Sequence, residues 1–278
     1  MSAAPKAVQT PAASRARPMG AVSLVSHQAR YDLRAFRRNT RARIFTLAVP
    51  VVLLLILVSL FRGGTVKAGG VTVKIAAYYV PHIAAMAIVG AGLINLLITV
   101  VGKRESGSLK RRRATPVPSW VLIAGDATTS IVSSLLIVAV LVAIGSLGFG
   151  LAVTGPALGL AAVETVIGAA VFCCIAYALS GLVATAESAG PMVQLSTLPV
   201  YFISGIYIPD NVLPHWLLDI ANVLPVRPLA VALQAAFVPA TNGGQRFAVV
   251  PLLVVVAWGV AGLVIAVRTF SWAPKRSG

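Results

Sequence analysis

The chain has 278 residues, 58% of them hydrophobic and only 11% charged, and carries a formal net charge of +16. Soluble domains run at about 25% charged residues, and β-barrels show short alternating segments rather than long apolar runs, so both classes are excluded. The basic excess does not indicate nucleic acid: the cations flank apolar runs, and Lys or Arg at mid-bilayer costs roughly 2.5–3.5 kcal/mol, so they mark the loops of a membrane protein.

Residues 1–20 are rich in Ala, Pro and Ser and predict a disordered tail. No short apolar core with a small-residue cleavage site precedes the first long apolar run, so a removable signal peptide is not expected. Residues 21–43 predict an amphipathic helix. Val22, Val25, Ala29, Leu33 and Phe36 fall within an arc of about 80° at 100° per residue. Arg30, Arg34, Arg37, Arg38 and Arg41 fall in a separate arc of about 100°. Such a helix suits the headgroup plane of membrane lipid.

Residues 44–270 then read as one all-α, polytopic transmembrane domain, followed by a tail at 271–278. A crossing helix needs about 20 mostly apolar residues. Six spans are predicted, at about 44–61, 77–101, 120–144, 157–180, 190–208 and 248–267. Eighteen of the 23 Lys and Arg then lie on one side, in the N-terminal segment, the 102–119 loop and the C-terminal tail. Basic loops stay cytoplasmic, so both termini are expected inside.

Between the fifth and sixth spans lies PDNVLPHWLLDIANVLPVRPLAVALQAAFVP, on the expected external side. Pro209, Pro214, Pro225 and Pro228 break it into two short helical pieces. Trp216, Leu217, Ile220, Ala221 and Leu224 recur at helical spacing, which predicts one buried face. A re-entrant helical hairpin is the expectation, because proline breaks at membrane depth are tolerated where protein covers them.

No catalytic constellation, metal-ligand cluster or P-loop occurs among the seven acids, three histidines and two adjacent cysteines. The chain is therefore expected to bind no cofactor and to be no enzyme, which leaves a lipid-modifying enzyme as a remote alternative. His82 reads as a packed polar residue, and Cys173 and Cys174 as small packing residues in an apolar run. Glu164 and Asp126 lie within spans four and three, and neither has an obvious Lys or Arg partner in the membrane. Either residue would be the natural centre of an ion-coupled secondary transporter.

The remaining signal is GKRESGSLKRRRATPVPSW, with six basic residues between Lys103 and Arg113. It predicts a short loop helix that opens on Glu105 and Ser106 and closes on base, complementing its dipole. Glu105, Gly107, Leu109 and Thr115-Pro116-Val117 resemble the cytoplasmic loop of type-2 ABC transporter permeases. Ser204-Gly205, Pro209, Leu213-Pro214, Trp216, Leu224-Pro225 and Gln234 resemble the region before the last span in the same family. Val226-Arg227-Pro228 departs from it, since an aromatic residue or His often comes after the second proline there, and the Lys110–Arg113 block is heavier than usual. Drug-export permeases look closest.

The resemblance implies a permease subunit in a bacterial inner membrane. It would pair with a second permease, identical or related, and with two copies of a separate P-loop ATPase that holds ATP and Mg. Lys103, Arg104, Glu105, Gly107, Leu109, Arg113, Thr115 and Pro116 would form the coupling loop to that ATPase. The helix bearing Arg30, Leu33, Arg34, Phe36, Arg37 and Arg38 would assist.

Overall fold

The computed structural model describes residues 40–61, 64–106, 119–183 and 185–269. The predicted tails, the amphipathic helix up to residue 39 with its named residues other than Arg41, and Gly107, Leu109, Arg113, Thr115 and Pro116 lie outside them; Arg41 falls in the first turn of the helix that starts at Thr40. The helices are α1 (Thr40–Leu60), α2 (Ile75–Val89), α3 (Asn95–Glu105), α4 (Ser119–Phe149), α5 (Gly155–Ser180), α6 (Ala186–Ile203), α7 (His215–Val223), α8 (Val226–Phe237) and α9 (Val249–Thr269). A widened π-type turn, Gly90–Ile94, joins α2 to α3, so that Ile75–Glu105 runs as one 31-residue rod.

Four helical stretches are long and apolar enough to cross a membrane: Ile75–Glu105, Ile123–Phe149, Gly155–Ser180 and Val249–Thr269. The pair α7–α8, bent by 92°, makes a fifth if it counts as one span. The first predicted span forms a helix whose apolar part, Thr46–Leu60, is shorter. The fifth forms α6, which carries Glu187, Ser188, Gln194, Ser196 and Thr197 along 18 residues and is not among the four. It also starts and stops earlier than the predicted 190–208. Thr185 caps its N-terminus by accepting a hydrogen bond from Ser188 N, and the left-handed Gly205 (φ +79°) lies just beyond its end.

The described chain is not all-α. Thr65–Ala68 and Val71–Lys74 form an antiparallel hairpin, β1–β2, with Ala68 opposite Val71. Gly69 and Gly70 make the two-residue turn with φ of 56° and 79°. A tight hairpin turn of this kind needs positive φ at both central positions, which favours glycine. Val66, Ala68 and Val73 turn their side chains inward.

The core centres on α5, and small residues set the distances. Gly168 of α5 admits Leu229 of α8 and Ile88 of α2. Gly92 sits against Phe172 and Ala169, and Gly259 and Gly262 of α9 sit against Val171, Cys174 and Ile175. A Cβ at Gly262 would stand 3.1 Å from the Ile175 nitrogen. Close backbone approach through small residues is the usual way in which helices associate where lipid removes the hydrophobic drive between them. Cys173 is buried and its neighbour Cys174 partly so, with no disulfide, in keeping with a packing role.

Candidate functional site: two polar clamps and a groove

The first clamp is at the end of α3 that leads into the basic segment. Lys103, Arg104 and Glu105 form the last turn of α3 rather than the start of a separate loop helix. The predicted dipole role of Glu105 is therefore reversed: it stands at a helix C-terminus. Its carboxylate instead serves another helix, with Oε2 accepting from Ala186 N, the first residue of α6, at 2.8 Å. An acid is favourable at a helix N-terminus.

Arg104 is 1% exposed. Its Nη1 donates to the Ser180 carbonyl at 2.7 Å, and Nη2 donates to the Val183 carbonyl. Ser180 is the last residue of α5, whose terminal carbonyls lack helical partners, and Val183 lies in the turn just beyond it; a cation is favoured at such a helix end. Lys103 Nζ lies 2.6 Å from Asp126 Oδ1 of α4, and Tyr177 OH of α5 donates to Asp126 Oδ2 at 2.9 Å. Asp126 thus has a basic partner that sequence alone does not reveal, because the charge of Lys103 assigns it to a loop. Three consecutive side chains reach α4, α5 and α6, one each.

The second clamp is at the hairpin end. Arg227 Nη1 lies 2.6 Å from Asp210 Oδ1, and Arg227 Nε donates to Asn222 Oδ1 at 2.8 Å. Tyr78 OH donates within reach of both Asp210 Oδ1 (3.0 Å) and the Gly205 carbonyl (3.1 Å), and accepts from Asp210 N at 3.2 Å. The Tyr78 ring stacks on His82, with centroids 4.1 Å apart. Gly205 is required twice: its φ is left-handed, and a Cβ there would fall 2.5 Å from both Tyr78 OH and Asp210 Oδ1. The sequence departure at Arg227 thus supplies the ion pair that closes this clamp. His82 is buried, as its packed reading expects.

Of the predicted hairpin residues, Pro225 and Pro228 are buried or half-buried at the start of α8, and Pro209 and Pro214 precede short helical turns. Trp216 is 63% exposed, with its indole away from the body of this chain. The predicted buried face of α7 is therefore rotated: Ala221 is buried, Leu217 and Leu218 partly so, and Ile220 is exposed. The turn from α7 to α8 decides this, since α8 takes the interior position and leaves α7 flat against the outside.

Between the clamps a cavity of about 230 Å³ opens along α1, the π-type turn and α6. Thr46, Met86, Asn95, Gln194, Tyr201 and Tyr207 give it polar, uncharged and aromatic walls. Asn95 Nδ2 donates to Thr46 Oγ1 at 3.0 Å, tying α3 to α1 across its edge. The π-type turn at Gly90–Ile94 forms part of its wall, and such turns recur at functional sites. Sequence reasoning missed this groove; the polar residues Asn95 and Gln194 inside apolar runs were the available sign. Such walls can hold a largely apolar molecule and offer it hydrogen bonds, but provide no charge for catalysis. No group of three or more metal-ligating side chains occurs among the described residues.

No match is found among curated proteins. The family model of the ABC-2 type transporter matches residues 25–238, which take in both clamps, the groove and the bent pair, and the chain belongs to that family of membrane transport proteins.

Proposed function

We propose that the chain is the permease subunit of an ATP-binding cassette exporter. It moves a hydrophobic or amphipathic substrate, such as a drug, a lipid or a lipid-linked glycan, outward across a bacterial inner membrane. A second permease, identical or related, completes the pathway, and two copies of a separate P-loop ATPase bind ATP and Mg and drive it. In this reading six segments cross the bilayer, both termini are cytoplasmic, and the α7–α8 pair enters the membrane from outside. The groove at the π-type turn carries substrate.

The observation that carries this reading is the last turn of α3. It leads directly into the basic segment and holds α4, α5 and α6 through Lys103, Arg104 and Glu105. A push on that segment by a partner reaches four helices at once. Inverted membrane vesicles containing the permease, with and without its ATPase subunit, test this with ethidium as a lipophilic cationic probe. Uptake that needs both ATP and the second subunit is expected, and Glu105→Lys should lower it while the protein still inserts.

One observation favours a second reading. Glu164 is fully buried, and both its carboxylate oxygens are without a hydrogen-bond partner among the described residues. An ion-coupled secondary transporter would use such a group. Glu164→Gln separates the two: it abolishes gradient-driven uptake in the second reading and leaves ATP-driven uptake standing in the first.

A further inference from the structure

The exposed side of α7 has an order that a water-facing loop would lack. Taken around the helix at about 100° per residue, Leu217, Ala221 and Leu218 form one sector and are buried or half-buried. Asn222 borders that sector and accepts the hydrogen bond from Arg227. His215 and Asp219 come next, both polar and both exposed. Val223, Trp216 and Ile220 complete the circle within about 60°, and are 65%, 63% and 51% exposed. The helix thus has a protein side, a polar side and a bare apolar side, in that order.

The depth of α7 identifies what covers the bare side. The helix α9 has 21 residues, a length of about 31 Å, which equals the hydrocarbon core of a bilayer. Trp258 is its tenth residue, about 13 Å along the axis from Val249. Trp258 Nε1 donates to the carbonyl of Val223, the last residue of α7, at 2.7 Å. Even with the indole pointing straight back toward Val249, that carbonyl lies several ångströms inside the end of α9. The exposed stripe of α7 therefore adjoins the exposed apolar surface of a membrane-crossing helix, where Val256, Val260 and Leu263 are also bare. A helix that ends beneath the boundary with an apolar side, a polar side and a tryptophan fits the headgroup–acyl boundary, where amphipathic helices bury about 5–10 Å deep and Trp is enriched.

We infer that α7 is an interfacial helix whose Trp216–Ile220–Val223 stripe is covered by the acyl chains and glycerol region of phospholipid, so that lipid forms one wall around the α7–α8 elbow. Which leaflet this is rests on the proposed orientation, which makes it the outer one; the lipid contact does not depend on it.

The test uses the full chain in nanodiscs of phosphatidylcholine and phosphatidylglycerol, with bromine on carbons 6 and 7 of the acyl chains. The fluorescence lost in Trp216→Phe reports Trp216. That component should be quenched at least twofold by brominated lipid and be shielded from aqueous iodide. Quenching by iodide without quenching by bromine overturns the proposal. So does protection from both, which would put a second copy over the stripe. Independently, in a chain with Cys173 and Cys174 replaced by Ala, a nitroxide on Val223→Cys should be more accessible to oxygen than to a water-soluble nickel chelate, and one on His215→Cys should show the reverse. Equal accessibility at the two sites also overturns the proposal.

Discussion

At the basic end of the bundle, three consecutive residues reach three different helices; at the hairpin end, one ion pair joins residues 17 apart under a tyrosine from a third element. The first clamp works on helix termini: Arg104 serves the carbonyls at the end of α5, and Glu105 the N–H at the start of α6. The second works on a break: Gly205 turns the chain out of α6, and Asp210 and Arg227 hold the α7–α8 segment against Tyr78. The contrast shows two ways to satisfy backbone groups near a membrane surface. Where helices end cleanly, long charged side chains from a neighbour suffice. Where the helical path is broken, extra elements are needed, here the β1–β2 hairpin, α7 and the turn at Pro239–Asn242, whose Thr241 meets Gly69 at the hairpin tip.

The sharpest way to break the hairpin end is Asp210→Ala. Arg227 is buried and would lose its counter-ion, and removing one partner of a buried pair costs about 3–5 kcal/mol. Thermal unfolding in detergent should show it, with faster hydrogen exchange in α7 and α8. A small shift with unchanged exchange would mean that the break is held by packing alone. Arg104→Met tests the basic end at about 3 kcal/mol, since it strands two buried carbonyls that had accepted from a charged donor. Here exchange should rise at the α5–α6 turn and stay unchanged in α7. Coupled loss at both ends would erase the distinction between the clamps.

Gly205→Ala should cost about 2 kcal/mol from left-handed strain alone, and more if Tyr78 cannot move aside. Asp210→Ala in the same chain should then add less than its separate cost, because the two sites share Tyr78. Glu105→Gln is expected to be the mildest, at about 0.5–1 kcal/mol, because the amide oxygen still accepts from Ala186 N and the site is exposed. A stability loss as large as that of Arg104→Met would mean that the charge on Glu105, and not its hydrogen bond, holds α6.

The long apolar runs mark the long helices to within a few residues, because hydropathy and helical length are local properties. Two positions escape such rules in instructive ways. The charges of Lys103, Arg104 and Glu105 point to a loop, since local rules exclude cations from a span. The fold places them on a helix end where Asp126 and the carbonyls of α5 receive them. The β1–β2 hairpin is hidden because Thr65–Lys74 is short and lies between two stronger helical signals, although Gly69-Gly70 marks its turn.

The residues alone determine that this protein is a multi-helix membrane chain with a basic segment after the second apolar run and a proline-broken segment before the last. Those features come from transfer free energy and from backbone chemistry, and both act along the chain. Tertiary structure decided which charges pair, where the groove opens and which face of α7 is bare. The spacing of Trp216, Ile220 and Leu224 marks an apolar face equally well whether protein or lipid lies against it. Only the buried course of α8, the 92° bend before it and the bond from Trp258 to Val223 settle which side turns outward.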